Sequence, residues 1–396
     1  MPNKYIEIKN EKDCCGCRAC ENICPKNAIS MIENKEGFLY PKIDKEKCIN
    51  CGLCRKVCPL INYVNKNDFL KDNICYGAKN KNTEVLKKSS SGGMFGVIAQ
   101  YVLAQNGLVV GVEMTEDHVV KHRIIDNEKD LIKLMGSKYV SSNTNDVFSK
   151  IKKELDNKRL VLFTGVPCQV AGLTNFLMKD YENLITVDIV CHGVPSQKLF
   201  SKYIEYLENK YKAKVLDYKF RSKEASSWGT FKGLVKLEKN NRIITKKINA
   251  DFDKYYHNFL KGNNYRESCY ECKFANNKRV SDITIMDFWG VEKIVPNFLD
   301  SNGVSCIIIN TQKGNELIEK LKNYIDLTKV SYTDVSKYNG QLISPTKRSE
   351  RRNNFYKNID EKNYIKKIKT NNGIKDYIKI IVPTQLKLKI KRLISK

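Results

Sequence analysis

The stretch CCGCRACENICP, residues 14–25, sets Cys14, Cys17, Cys20 and Cys24 at the spacing C-x2-C-x2-C-x3-C-P, and CINCGLCRKVCP, residues 48–59, repeats it with Cys48, Cys51, Cys54 and Cys58. Two-residue spacings wrap a loop around one side of a four-iron cube. A fourth cysteine set off by three residues and followed by proline reaches the neighbouring cube. The pattern therefore predicts one 4Fe-4S cluster on Cys14, Cys17, Cys20 and Cys58, and a second on Cys48, Cys51, Cys54 and Cys24. Zinc ribbons also use paired C-x2-C, but two runs of four cysteines, each ending in C-P and repeating from Cys14 to Cys48, favour iron–sulfur over zinc.

Between the runs, AISMI and GFLYPKID read as two short strands joined by a turn around Glu36 and Gly37. Cys15 stands outside the repeat, as a spare thiol beside the cluster. The segment resembles a bacterial two-cluster ferredoxin over about residues 1–62. Such a module moves single electrons, so the rest of the chain must define what the protein does.

The chain has 396 residues and fifteen cysteines, with 41% hydrophobic and 29% charged residues. That composition argues against disorder, and no run approaches the roughly 18 apolar residues of a membrane helix. The N-terminal MPNKYIEIKNEKD has no apolar signal core, so a reducing, cytoplasmic setting and metal-bound cysteines are expected rather than disulfides. The net charge of +26 admits nucleic acid, anionic lipid, an acidic protein or a polyphosphate-bearing cofactor as partner. No helix-turn-helix, zinc-finger or RNA-binding signature accompanies it, so no specific nucleic-acid binding is expected.

After a polar linker, residues 63–72, strands and helices alternate. ICYGAKN and GLVVGVEM read as strands, with SSSGGMFGVIAQYVLAQNG between them as a Ser/Gly turn and a helix. The turn Ser89 to Gly93 offers backbone at a helix N-terminus, a common phosphate site, and GSKYVSS, residues 136–142, adds Lys138 and hydroxyls. RLVLFTGVPCQ and LITVDIVCHGVPS each run an apolar strand into a turn, carrying Cys168 in the first and Cys191 and His192 in the second. If these strands are parallel, both thiols emerge at the carboxyl edge of one sheet, where α/β proteins bind ligands. With Cys269 and Cys272 of RESCYECK they make four thiols, enough for a third cluster. The alternative is that Cys168 and Cys191 are ordinary buried cysteines. Cys75 and Cys306, in or beside apolar strands, belong to the core. His192 can relay a proton or serve structurally. His118, His122 and His257 make no metal site.

SSSGG, GSKYVSS, FTGVPCQVAGL, DIVCHGVPS, FRSK and SDITIMDFWG, in this order, are similar to the family of coenzyme F420 hydrogenase/dehydrogenase beta subunits over about residues 70–325. The resemblance implies an α+β chain: a two-cluster ferredoxin domain (1–62), then a larger mixed α/β domain (73–345) holding FAD and a 4Fe-4S cluster, and a basic tail (346–396). It implies that Cys168, Cys191, Cys269 and Cys272 hold the flavin-side cluster, and that Ser90, Ser91, Gly92, Gly93 and Lys138 lie near FAD. Arg221 and Lys223, with Arg266 and Arg279, become candidates for anionic parts of cofactor or substrate, the alternative for the arginines being pairing with Asp282 and Asp287. Asp287 and Trp289 would shape the flavin site, and His192 and Lys138 are the catalytic candidates.

The leading expectation is an oxidoreductase that exchanges hydride at FAD with coenzyme F420, another carrier or an organic substrate. Single electrons would pass through three 4Fe-4S clusters to ferredoxin or another redox protein. One alternative is a non-catalytic electron-transfer subunit docked on a separate enzyme. Another is a reductase of a membrane-associated glycan precursor, motivated by residues 361–396. There eleven Lys/Arg face two acids, and Ile374, Ile378, Ile381, Leu386, Ile390 and Leu393 recur at helical spacing. Such a tail can lie on anionic lipid or pack on its own domain.

Overall fold

The computed structural model describes residues 4–62 and 69–370. The first segment carries a hairpin of β1 (Ile29–Glu33) and β2 (Leu39–Ile43), antiparallel with Ile32 opposite Tyr40. Its turn is held by Asn34, whose side chain accepts from the amides of Glu36 and Phe38.

The remaining strands are β3 (Phe69–Asn80), β4 (Leu108–Met114), β5 (Val120–Ile125), β6 (Val161–Gly165), β7 (Leu184–Ile189), β8 (Lys214–Lys219), β9 (Lys232–Lys239), β10 (Arg242–Asn249), β11 (Ile283–Asp287), β12 (Ser305–Thr311) and β13 (Ile325–Val330). Eight of them form one mixed sheet in the order β13-β3-β12-β11-β7-β6-β4-β5. Its centre, β4, β6, β7 and β11, is parallel, and its flanks are antiparallel. β8, β9 and β10 make a separate antiparallel sheet. The expected linker is shorter than 63–72: residues 63–68 lie outside the described residues, and β3 already pairs from Phe69 to Thr311.

Alternation along the central strands assigns the two faces. Val109, Leu162, Ile185 and Ile307 point to one side, against the helices Met94–Ala104 and Gln312–Leu321. Leu108, Val110, Val161 and Phe163 point to the other, against the helices Val147–Asp156 and Pro167–Leu177. Cys75 and Cys306 are fully buried on neighbouring strands, as core residues.

The N-terminal segment is seated on the larger unit by many contacts. Cys17, Ala19 and Val57 join the second face of the core. Gly172 of the helix Pro167–Leu177 lies so close that a Cβ there would stand 3.0 Å from the Cys17 sulfur. Thr144 Oγ1 donates to Cys17 O, and Ser196 Oγ to Glu36 O. Residues 346–370 pack back onto the chain: Phe355, Tyr356, Ile359, Tyr364 and Ile365 are buried, and the Arg352 guanidinium forks onto both oxygens of Glu36. The rest of the expected amphipathic tail, 371–396, lies outside the described residues. Among the described residues no helix is long and apolar enough to cross a membrane.

Candidate functional site

The N-terminal cysteines form two groups, each drawing its fourth member from the other run. Cys24, Cys48, Cys51 and Cys54 line one small cavity. Cys20 has Cys14 and Cys58 as electrostatic neighbours ahead of Cys54, and Cys17 neighbours Cys20. Backbone amides are aimed at sulfur: Gly16 N–H donates to Cys14 Sγ, Ala28 N–H to Cys24 Sγ and Ile6 N–H to Cys54 Sγ, the kind of donor that tunes cluster potentials. Among the described residues no three Cys, His, Asp or Glu side chains converge tightly enough for a single metal ion. A four-iron cube is wider than one ion, and its thiols stand further apart.

In the larger unit, β6 and β7 are parallel neighbours. β6 ends at Gly165, and the next helix opens with Pro167 at its first position, so Cys168 emerges at the carboxyl edge. β7 ends at Ile189 and delivers Cys191 to the same edge. The short helical turn Glu267–Glu271, with Cys272 just beyond, brings Cys269 and Cys272 up to them. Cys168 has Cys191 and Cys272 as electrostatic neighbours, and Cys191 has Cys269 and Cys272. Burial is the main cause that pushes Cys269 up to about 12 and Cys191 further up, whereas Cys168 is raised first by its hydrogen bond to Cys15 and then by burial. Thiols so placed become thiolates when a metal supplies positive charge. Gly193, at φ +142°, follows this pair because a Cβ there would stand 2.2 Å from the Tyr265 ring.

All four thiols line one end of a cavity of about 1140 Å³ that continues along the carboxyl edges of the parallel strands. This is at the upper end of, or above, the usual range for a small-molecule site. Ser90, Ser91, Gly93, Lys138, His192, Arg221, Asp287 and Trp289 also line it. The serine-glycine turn is tied down on both sides. Ser91 Oγ donates to Val304 O, Ser90 Oγ accepts from the amide and hydroxyl of Ser137, and Gly92 presses on β3 and β12, where a Cβ would stand 2.4 Å from Ala78 O and Ser305 N. Gly92 therefore backs the cavity without lining it. Lys223 also stands behind it, its ammonium donating to Leu86 O and Ser91 O. Lys138 faces the cavity while donating to Lys133 O and Met135 O, which closes the end of the helix Glu128–Leu134. Burial lowers both lysines to about 7, with Arg221 adding to the effect at Lys223.

Arg221 is ion-paired to Asp287, whose second oxygen accepts from Trp228 Nε1 at 2.8 Å. Burial opposes the Arg221 charge, but Asp287, with Tyr139 and Tyr256, more than offsets it and holds the guanidinium protonated. Trp228 stacks on Trp289 at 5.3 Å and 8°, and Arg221 lies over Trp289 at 5.7 Å. This aromatic and ion-pair wall includes Trp228, which no sequence motif singled out. Only the SSWG setting, a tryptophan beside a turn glycine, hinted at it. His192 opens onto the cavity, and burial holds its pKa below the ordinary imidazole range against the pull of Asp287.

Two expectations are corrected. Arg279 does not line the cavity and is not placed to meet an anionic ligand there. It forms a buried pair with Asp188 at 2.8 Å, because both lie under the sheet edge where a lone charge is costly. Arg266 turns away from the cavity toward the N-terminal segment, donating to Cys14 O and Leu39 O. Asp282 accepts from Thr186 and Thr311. The other histidines are separate: His118 bonds Val215 O and His122 bonds Thr164 O.

Comparison with known proteins places these features in a family. Residues 75–149 match the model for the N-terminal part of the coenzyme F420 hydrogenase/dehydrogenase beta subunit, residues 158–334 that for its C-terminal part, and residues 13–60 that for a 4Fe-4S dicluster domain. The chain is 25% identical over 178 residues to a subunit of the F(420)H(2) dehydrogenase of Methanosarcina mazei, covering 43% of this chain and 50% of that protein. It is 23% identical over 332 residues to coenzyme F420-dependent sulfite reductase of Methanocaldococcus jannaschii, covering 82% and 48%. The chain thus spans about half the length of these curated relatives. A chain of the F420-reducing [NiFe] hydrogenase complex from Methanosarcina barkeri superposes with TM-score 0.45 at 17% identity, over 74% of this chain and 94% of that one, too loosely to carry an argument. The chain belongs to the family of coenzyme F420 hydrogenase/dehydrogenase beta subunits and carries a 4Fe-4S dicluster domain at its N-terminal end.

Proposed function

We propose that this protein is an iron–sulfur flavoprotein oxidoreductase that exchanges hydride with a carrier or organic substrate and passes single electrons through three 4Fe-4S clusters. The observation that carries the reading is the shared cavity. It has four converging thiols at one end, and a hydroxyl-lined turn, Lys138 and the Arg221–Asp287–tryptophan wall elsewhere along it. Its size and mixed lining suit a dinucleotide the size of FAD beside a cluster. When bound, FAD supplies the conversion between two-electron and one-electron chemistry.

The chain's own residues would do the rest. Ser90, Ser91, Gly93 and Lys138, which line the cavity, bind phosphate. Trp289, backed by Trp228, gives a flat apolar wall for a ring, and Asp287 fixes Arg221 as a permanent positive charge facing it. His192, neutral at physiological pH because of its burial, can hold or release a proton at the cavity mouth. Coenzyme F420 is the first carrier to try, and ferredoxin or another redox protein the first partner, since F420 appears in the names of both curated relatives.

The test is anaerobic purification with measurement of iron, acid-labile sulfide and flavin per chain. About twelve irons and one FAD are expected for three four-iron clusters. About eight irons and no flavin, persisting after reconstitution, would make the protein a docking module for electrons, and the cavity would need another occupant.

A further inference from the structure

Arg266 is 1% exposed, yet no carboxylate pairs with it among the described residues. A buried guanidinium without an anion is strongly disfavoured. Its Nε donates to Cys14 O at 2.6 Å and its Nη2 to Leu39 O at 2.8 Å. The group lies over Tyr40, 4.1 Å from the ring centre, with Phe38 at 5.5 Å. Its place is crowded from the other side by Gly16, where a Cβ would come within 2.9 Å of Nη1.

Arg266 is bonded to a cysteine of each unit: its side chain donates to Cys14 O of the N-terminal segment, and its own carbonyl accepts from the amide of Cys269 of the larger unit at 2.9 Å. Cys15, Cys168 and Cys272 pack against the same cluster of side chains as Cys17. The Cys14 group and the Cys168 group are therefore separated by little more than one side chain, and Arg266 stands at that junction. The Cys48 group lines a separate small cavity to which Arg266 does not contribute.

We propose that Arg266 is the common counter-charge of two cluster sites, the one that includes Cys14 and the one that includes Cys269, and that it sets their potentials together. The proposal rests on the three-cluster reading above. A cluster with four thiolate ligands is a net anion in both of its usual oxidation states, and reduction adds one more negative charge. A fixed buried cation beside it favours the reduced form, and in a low-dielectric site the effect is large. One cation shared by two sites raises both potentials in the same direction, so that a single side chain tunes the two sites on either side of the junction. The third site, on Cys24, Cys48, Cys51 and Cys54, is an internal control.

The experiment is a redox titration of the full-length, cluster-loaded protein followed by electron paramagnetic resonance, with iron counted on every sample. In Arg266→Gln, the two flanking clusters move to lower potential and the Cys48-group cluster stays where it is. Arg266→Lys, which keeps the charge, returns both toward the wild-type values. Tyr40→Glu leaves the arginine in place but gives it a carboxylate, and must lower the same two potentials. It carries the test should Arg266→Gln not retain its clusters. Unchanged flanking potentials at full iron content, or an equal shift of all three, would overturn the proposal. Eight irons in the wild-type protein would instead refute the three-cluster reading, an outcome visible before any variant is made.

Discussion

The two cysteine regions are assembled in opposite ways. In the N-terminal segment three members of each group come from one seven-residue stretch, and the fourth from its repeat. In the larger unit the four thiols come from the ends of two parallel strands and a distant helical turn, with about a hundred residues between the first and the last. A site of the first kind carries its geometry in its own loop. A site of the second kind has the geometry of the sheet edge, so whatever disturbs the sheet disturbs the site.

Cys191→Ala separates the two regions most strongly. It should lose about four irons while the N-terminal clusters keep their spectra; parallel loss of all iron would show that the two regions are not separable. Asp188→Asn comes next. It removes the buried carboxylate from beside Arg279 and should cost about 3–5 kcal/mol in urea unfolding. It should weaken iron retention in the larger unit before the N-terminal segment. Gly193→Ala forces a Cβ against Tyr265 and should cost about 1–3 kcal/mol, with the same selectivity.

The cavity of the larger unit also carries a pH dependence. Burial holds Lys138 near 7, whereas in the unfolded chain it titrates near 10.4. The unfolded state therefore binds more protons between those values, and this group's contribution to stability is fully present above about 10.4 and is lost as pH falls toward 7. A phosphate beside Lys138 favours its charged form, so binding of FAD should take up as much as one proton above pH 7, and affinity should fall as pH rises. Calorimetry in buffers of different ionisation enthalpy measures the uptake, and Lys138→Met should abolish it. The smallest effect is expected from Cys15→Ser, which should leave iron and sulfide unchanged. Loss of four irons would make Cys15 a ligand and erase the boundary between the two regions.

Much of the fold was legible because its signals are periodic and local. RLVLFTGVPCQ and LITVDIVCHGVPS read as apolar strands running into cysteine turns, and these strands are β6 and β7. The charges were not legible. Arg266, Arg279 and Arg221 look alike in sequence, yet one sits between two thiol groups, one pairs with Asp188 and one with Asp287. Lys138 and Lys223 read as anion-binding residues, and both donate to backbone carbonyls. A long charged side chain reaches partners that only the packing of other elements brings near.

Residue spacings settled the two cysteine repeats and the α/β alternation, and a series of short motifs carried the resemblance to the family. Each is written over a few positions, and local backbone geometry converts such spacings directly into shape. Packing in three dimensions was needed to give β6, β7 and β11 one carboxyl edge, to bring Trp228 to Asp287, and to let residues 346–370 hold Glu36 through Arg352. It also placed a lone buried arginine where two thiol groups meet. Such contacts join residues tens to hundreds of positions apart, and their energies come from burial and from charge in a low-dielectric interior, which exist only once the chain is packed.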